Sequence, residues 1–348
     1  MAKRQSPGSA NLQAQAAATR HAAESCNDEV IRSFALAAAS TVEAIAKATA
    51  RREASPILNI PANASDIELR EARQYQSVRR GNEVFLPIWR QATIGMPNLF
   101  LRSALFASNR NQHDAVVEET IASQGDTSIT LTGFRLNDYD RRVFAVCLNA
   151  YRDDRMLAST GDDVGWVRLS YWLFAKAMGV SYGPGVHLAI RASLVRLNAA
   201  HLRLRVKRRD VPMPRLLEVA FDDGYQPGIE DHGALKGSDL IAFRVQESMA
   251  NLFGPEDWSA VHESAIHGVS GLAAWLASFY STHAKPYPLQ VKDLCSYAGV
   301  VCSLREFRRR LKGALAQLMA PDVPDDIRIA EFELSNLYLV VKLCRWSR

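Results

Sequence analysis

Two stretches of the chain, 120 residues apart, place similar residues at the same offsets. Leu169, Phe174 and Gly179 stand in one, and Leu289, Leu294 and Gly299 in the other, with no gap needed between them. A supersecondary unit used twice restricts the architecture more than composition does. In both copies the pattern reads as a short helix, a glycine-bearing turn and a longer helix. That is the outline of a helix-turn-helix, whose second helix enters the major groove of DNA.

The C-terminal copy carries the stronger signal. Its long helix opens at Ser303, with Glu306 three residues on, the spacing of a reciprocal capping box. Leu304, Phe307, Leu311, Leu315 and Leu318 then recur at three- and four-residue steps and form the packing face. Arg305, Arg308, Arg309 and Lys312 fall on a second face and present cations to an anionic partner. A merely solvated charged face is the alternative, and the repetition of the unit weighs against it. In the first copy, the turn Gly183-Pro184-Gly185 precedes a helix with Val186, Ile190, Leu194 and Leu197 inward and His187 and Arg191 toward solvent.

Strands follow each long helix. Leu202, Leu204 and Val206 alternate with Arg203, Arg205 and Lys207, putting aliphatics on one face and cations on the other. Pairing with Leu216–Phe221 through Met213-Pro214 would make this hairpin a wing whose basic edge tracks phosphates. Segments 327–332 and 337–343 make the second wing. Ahead of the repeat, Pro97 is expected to open a helix reaching Phe106, 128–131 a strand, and Asn137 or Asp138 to cap a helix ending near Tyr151. The main helix of the second half is expected over 261–282.

The fold class expected is α+β: two tandem winged-helix domains, 84–235 and 236–348, after an Ala-rich arm and linker over 1–80. That arm reads as flexible or weakly helical, with a short charged helix at Asp66–Tyr75. The whole chain has 348 residues and a net charge of +5, which favours an anionic partner without identifying one. Its five cysteines are scattered with no Cys-x-x-Cys pair, so neither a disulfide framework nor a zinc ribbon is expected. Lys3 and Arg4 are followed by polar residues and alanine, not by the apolar core of a secretory signal. No apolar run reaches membrane-spanning length, and a cytoplasmic, DNA-associated protein is expected.

Two further stretches resemble the TrfA-type initiators of plasmid replication. Leu86-Pro87-Ile88-Trp89, Met96-Pro97-Asn98 and Leu101-Arg102-Ser103-Ala104-Leu105-Phe106 are similar to the start of that family's first domain, and Lys285-Pro286-Tyr287-Pro288-Leu289 to the start of its second helix-turn-helix. The resemblance covers roughly 84 to 345. It implies a bacterial initiator that binds repeated sequences (iterons) in a plasmid origin as double-stranded DNA, opens the adjacent AT-rich duplex, and recruits the host replicative helicase and polymerase clamp. A monomer–dimer equilibrium is also expected. The family's clamp-contact pentapeptide, of the Gln-Leu-Ser-Leu-Phe kind, has as its counterpart here Asn82-Glu83-Val84-Phe85-Leu86, without the glutamine or the final Leu-Phe.

An enzyme is not expected, and no catalytic residue, metal ligand or cofactor is assigned. The sequence has no Gly-x-x-x-x-Gly-Lys-Ser/Thr and no His-Glu-x-x-His. It also lacks the His-x-His metal pair of a nicking initiator. Asp222, Asp223, Glu230, Asp231 and His232 are the nearest thing to a metal cluster, and an acidic loop of this kind reads as solvated. A winged-helix transcriptional repressor, autoregulatory or not, is the competing DNA-binding reading. Two nonidentical heads in one chain favour a long asymmetric site over a palindrome.

Overall fold

The computed structural model describes residues 9–25, 32–33, 35–43, 46, 60–61, 63–78, 84–108, 113–125, 127–152, 157, 165–206, 209–213, 215–226, 228 and 235–344. The fold is α+β, and the chain divides into two compact units, Met1–Ile60 and Pro61–Arg348. In the smaller unit, α1 spans Ser9–Glu24 and residues 35–43 are again helical. Ala16, Ala23, Ala39, Ala46 and Ile60 are buried among its described residues, and Arg20 pairs with Glu43 at 2.9 Å. Alanine's helix propensity accounts for this conformation, while its methyl side chains leave little to bury.

The larger unit opens with α2, Asp66–Val78, the charged helix expected from sequence. Ser65 N donates to Glu68 Oε2 at 2.6 Å and Glu68 N to Ser65 Oγ at 3.3 Å, a complete capping box. Leu69 and Ala72 are buried, and the Arg73 guanidinium lies 5.7 Å from the Trp258 ring centre. The stretch read as linker therefore contains a packed helix.

The first half then runs β1 (Thr93–Pro97), α3 (Asn98–Leu101), β2 (Phe106–Ala107), β3 (Ala115–Ile121), β4 (Thr127–Phe134), β5 (Leu136–Asn137) and α4 (Asp138–Asn149). Next come β6 (Val167–Ser170), α5 (Tyr171–Ala177), α6 (Pro184–Ala199), β7 (His201–Val206), β8 (Arg209–Met213), β9 (Glu218–Asp222) and β10 (Leu240–Arg244). The second half has β11 (Trp258–His262), α7 (Gly271–Ser281), β12 (Leu289–Gln290), α8 (Val291–Tyr297), α9 (Leu304–Leu318), β13 (Ile329–Leu334) and β14 (Tyr338–Leu343).

The repeat holds at the level of the backbone. Both short helices and both long helices begin 120 residues apart, at Tyr171 and Val291 and at Pro184 and Leu304. Gly179 and Gly299 end the short helices with φ of +72° and +64°, left-handed values that glycine reaches without steric cost. Each copy also closes a three-stranded antiparallel sheet in the same order, β6-β10-β9 and β12-β14-β13.

Several expectations are corrected. β7 does not pair with 216–221. It turns back into β8, with Val206 opposite Arg209, and its other edge joins β4 in the sheet β3-β4-β7-β8. Leu204 faces Ile129 and Leu202 faces Leu131 across that edge, all four buried, so a ready apolar partner captured the strand. The β7–β8 hairpin is thus inserted between α6 and the hairpin β9–β10. Strand 240–244, assigned from sequence to the second domain, pairs with β6 and β9 and completes the first sheet.

The helix expected from Pro97 to Phe106 stops at Leu101, because Phe106 and Ala107 pair in parallel with β5. The helix expected over 261–282 is divided: Val261 pairs with Ile94 in β11, a π-helical turn follows at Ser264–Gly268, and α7 begins at Gly271 after two extended residues. Asn137 caps α4 as expected, its side chain accepting from Asp140 N at 3.2 Å while Asp140 Oδ2 accepts from Asn137 N at 2.9 Å.

The two halves share one hydrophobic core, running from Trp89, Phe100, Phe106 and Phe144 to Trp275, Phe279 and Leu315. Polar contacts tie them further. Arg102 Nε donates to Thr282 Oγ1 at 2.7 Å, Trp275 Nε1 to Ser103 O at 3.3 Å, and Ser108 N to Ala298 O at 2.9 Å. Buried Arg141 pairs with Asp138 at 2.6 Å and donates to Ser278 Oγ on α7.

Candidate nucleic-acid interface

The second helix-turn-helix presents its cations as the sequence arrangement requires. Phe307, Leu311, Ala314, Leu315 and Leu318 of α9 are buried, and Arg305, Arg309 and Lys312 are exposed on the opposite side. Arg308 is half-buried, its guanidinium donating to Asn336 Oδ1 in the β13–β14 turn, so the hairpin tip steadies one cation of the helix. Leu304, expected inward, is 45% exposed.

The cap differs from expectation in one half. Ser303 Oγ accepts from Glu306 N at 3.3 Å. The Glu306 carboxylate, instead of returning to Ser303, accepts from Arg309 at 2.7 and 2.8 Å and from Arg310 at 2.8 Å. Hydrogen bonds from Arg309 and Arg310 hold the Glu306 carboxyl down at about 2. Arg310 was missed because the three-and-four spacing of the basic face passes over it. Its signal was Glu306, one turn back. The hairpin β13–β14 is not basic: it carries Glu331 and Glu333, and Lys342 is paired with Glu331 at 2.6 Å.

In the first head the structure overturns two assignments. His187 is fully buried, not solvent-facing. Its ring stacks on Tyr171 with centres 3.4 Å apart, and Tyr182 Oη lies 3.2 Å from its Nδ1. It stands where Phe307 stands in the second copy, and burial lowers its pKa. Arg191 Nε donates to Asp223 Oδ2 at 3.0 Å, and its guanidinium lies 4.2 and 4.1 Å from the ring centres of Phe221 and Tyr225. Burial alone would raise the Asp223 carboxyl, but the hydrogen bond from Tyr171 at 2.6 Å and the charge of Arg191 outweigh it and hold it below the usual range. Both residues therefore fasten α6 to β9 and the loop after it. The partner that turns them inward lies more than thirty residues downstream, beyond the reach of helical periodicity.

The outer side of α6 is uncharged. At the positions equivalent to Arg305, Arg308, Arg309 and Lys312 it carries Gly185, Leu188, Ala189 and Ala192, and Val195 is 41% exposed beside them. Arg196 is held by fully buried Asp140 at 2.7 Å. The cations of β7 lie elsewhere: Arg203 and Arg205 are exposed on the outer face of the four-stranded sheet, with Arg203 paired to Glu118 at 2.9 Å. Lys207 lies outside the described residues. The structure thus groups Arg305, Arg308, Arg309 and Lys312 on α9 and Arg203 with Arg205 on β7, and places His187 and Arg191 apart from them, against Asp223.

Among the described residues no three His, Cys, Asp or Glu side chains are placed to hold a metal ion. Asp223 of the acidic loop is engaged as above, while Glu230, Asp231 and His232 lie outside the described residues. Phe85 and Leu86 of the segment matched to a clamp motif are buried. No described helix is long and apolar enough to cross a membrane.

No protein-family model matches the chain, and no curated protein does. Among solved structures the chain is similar to two of RctB. A crystal structure of domains 2 and 3 of RctB gives a TM-score of 0.47 at 12% identity, covering 72% of this chain and 99% of the other. A second, of RctB residues 155–483, gives 0.46 at 11%, covering 69% and 95%.

Proposed function

We propose that the chain is a double-stranded DNA-binding initiator of plasmid replication whose two halves are winged-helix heads reading repeated sequences in an origin. The observation that carries the reading is α9: a capped helix, second in a helix-turn-helix, buries one apolar face and exposes Arg305, Arg309 and Lys312 on the other, with Arg308 held at its edge by Asn336. Such a face contacts phosphates and, through bidentate arginine, guanine edges. Arg203 and Arg205, on a rigid sheet, suit backbone contacts that position without specifying. The replication role rests on the sequence resemblance to TrfA-type initiators, as do the helicase and clamp as host partners. No catalytic chemistry is proposed.

A plasmid carrying the DNA that neighbours the coding region tests this reading in a host that does not otherwise replicate it. Replication only when the protein is supplied supports the proposal. Footprinting then separates initiator from repressor: direct repeats beside an AT-rich tract fit initiation, and a single palindrome over a promoter fits repression.

A further inference from the structure

We infer that the two heads are locked at one separation and one rotation, so that the DNA they share must present its two half-sites at an invariant spacing. The inference rests on the proposed reading that both heads contact one duplex. Tandem domains joined by a linker rearrange freely unless the interface is large and apolar. Here the interface is both apolar and cross-bonded.

Strand β11 of the second half pairs along its whole length with β1, from Thr93 opposite His262 to Pro97 opposite Trp258. Asn98 extends the seam, its N donating to Asp257 O at 2.7 Å and its Nδ2 to Glu256 O at 2.9 Å. At the other end, segment 102–108 reaches the turn of the second helix-turn-helix. Arg102 binds Thr282, and Ser108 donates from both N and Oγ to Ala298 O. A Cβ built on Gly299 would sit 2.6 Å from that of Ala107, so the turn is pressed against the first half with no room to slide. Between the two ends, Arg141 reaches from α4 to α7. The segment therefore spends its side chains on coupling the heads, and α9 inherits the orientation of α6 through it.

Rigid coupling has a signature that a flexible tether cannot imitate. Five added base pairs turn a half-site to the opposite side of the duplex, while ten restore the side and move it about 34 Å along the axis. A tethered pair recovers at ten, and a locked pair does not. Losing one of two linked contacts forfeits an avidity of about 100-fold or more.

The test uses the full chain and a duplex it enriches from a random-sequence pool, divided by hydroxyl-radical footprinting into its protected segments. Insertions and deletions of one to ten base pairs are then made between them, and affinity is measured by fluorescence anisotropy. The expected result is two protected segments, an affinity loss of about 100-fold at five added base pairs, and no recovery at ten. Arg102→Ala and, separately, Gly299→Val should narrow that loss while binding to the isolated segment protected by the first head stays unchanged. The Arg102 variant serves where the glycine variant does not fold. Tolerance of the five-base-pair insertion, or recovery at ten, overturns the inference while leaving DNA binding intact. So does a single protected segment. Failure to enrich any duplex overturns the proposed function together with it.

Discussion

Gly179 and Gly299 make a matched pair in which the strength of head docking can be read as a difference in stability. Both end the short helix of a repeat with nearly the same left-handed φ, +72° and +64°. Alanine at either position takes on the left-handed strain of an L residue, about 1–2 kcal/mol. Loss of glycine's freedom in the unfolded chain returns about 0.4–1 kcal/mol, equally in both. The neighbourhoods differ. Among the described residues no atom lies within 4 Å of a Cβ at Gly179, whereas one at Gly299 meets Ala107 Cβ at 2.6 Å, Ala107 Cα at 3.1 Å and Ala104 Cβ at 3.3 Å. Neither alanine can rotate away, so the overpacking cost of about 1–3 kcal/mol falls on Gly299→Ala alone. Urea denaturation should therefore show Gly179→Ala costing about 1 kcal/mol and Gly299→Ala about 1–3 kcal/mol more. Equal costs would mean that the turn is not pressed against the first half, and the rigid arrangement of the heads would fall with it.

Asp140→Ala should cost about 3–5 kcal/mol in the same assay, because it strands the Arg196 charge, the Ser193 hydroxyl and the Asn137 amide, which donate to that buried carboxylate. Asp140→Asn, which keeps the volume, should recover part of the loss. His267 gives a pH signature: burial first, then the charges of Arg142 and Arg141, lower its pKa to about 4. The unfolded chain takes up this proton below about 6.5 and the native protein only near 4. Stability is therefore lost as pH falls through that window, by about 3 kcal/mol, and His267→Gln should flatten the loss. The uncharged ridge of Gly185, Leu188 and Ala192 on α6 offers only apolar contact to base edges, the kind that reads thymine methyls. Replacing thymine by deoxyuridine in the segment protected by the first head should weaken wild-type binding and leave Leu188→Ala less affected; equal losses in both would remove this ridge from the interface.

What could be read from the residues was whatever depends on local order. The 120-residue register, the cap at Asn137, the helix from Asp66 and the cationic face of α9 are set by spacings of three to five residues and by side chains that act within one turn. What could not be read depends on partners far along the chain. His187 and Arg191 sit on a helix whose periodicity leaves them outside, and Asp223 with Tyr171 draws them in. The alternation of β7 revealed two faces correctly but not which strand would take its edge, since β4 lies some seventy residues earlier in the sequence. Helix 261–282 was broken by pairing with β1, to which no local pattern points.

The salt dependence of DNA binding tests the central claim most directly. The full chain and a variant carrying Arg305→Ala, Arg308→Ala, Arg309→Ala and Lys312→Ala would be titrated against the selected duplex between low and moderate salt, with circular dichroism as the control for folding. Each phosphate contact contributes about 0.9 to the slope of log affinity against log salt concentration. The account predicts a weaker-binding variant whose slope is shallower by about 2 to 4 and whose fold is intact. An unchanged affinity and slope in a folded variant would contradict it, and would place the DNA, if bound at all, away from α9.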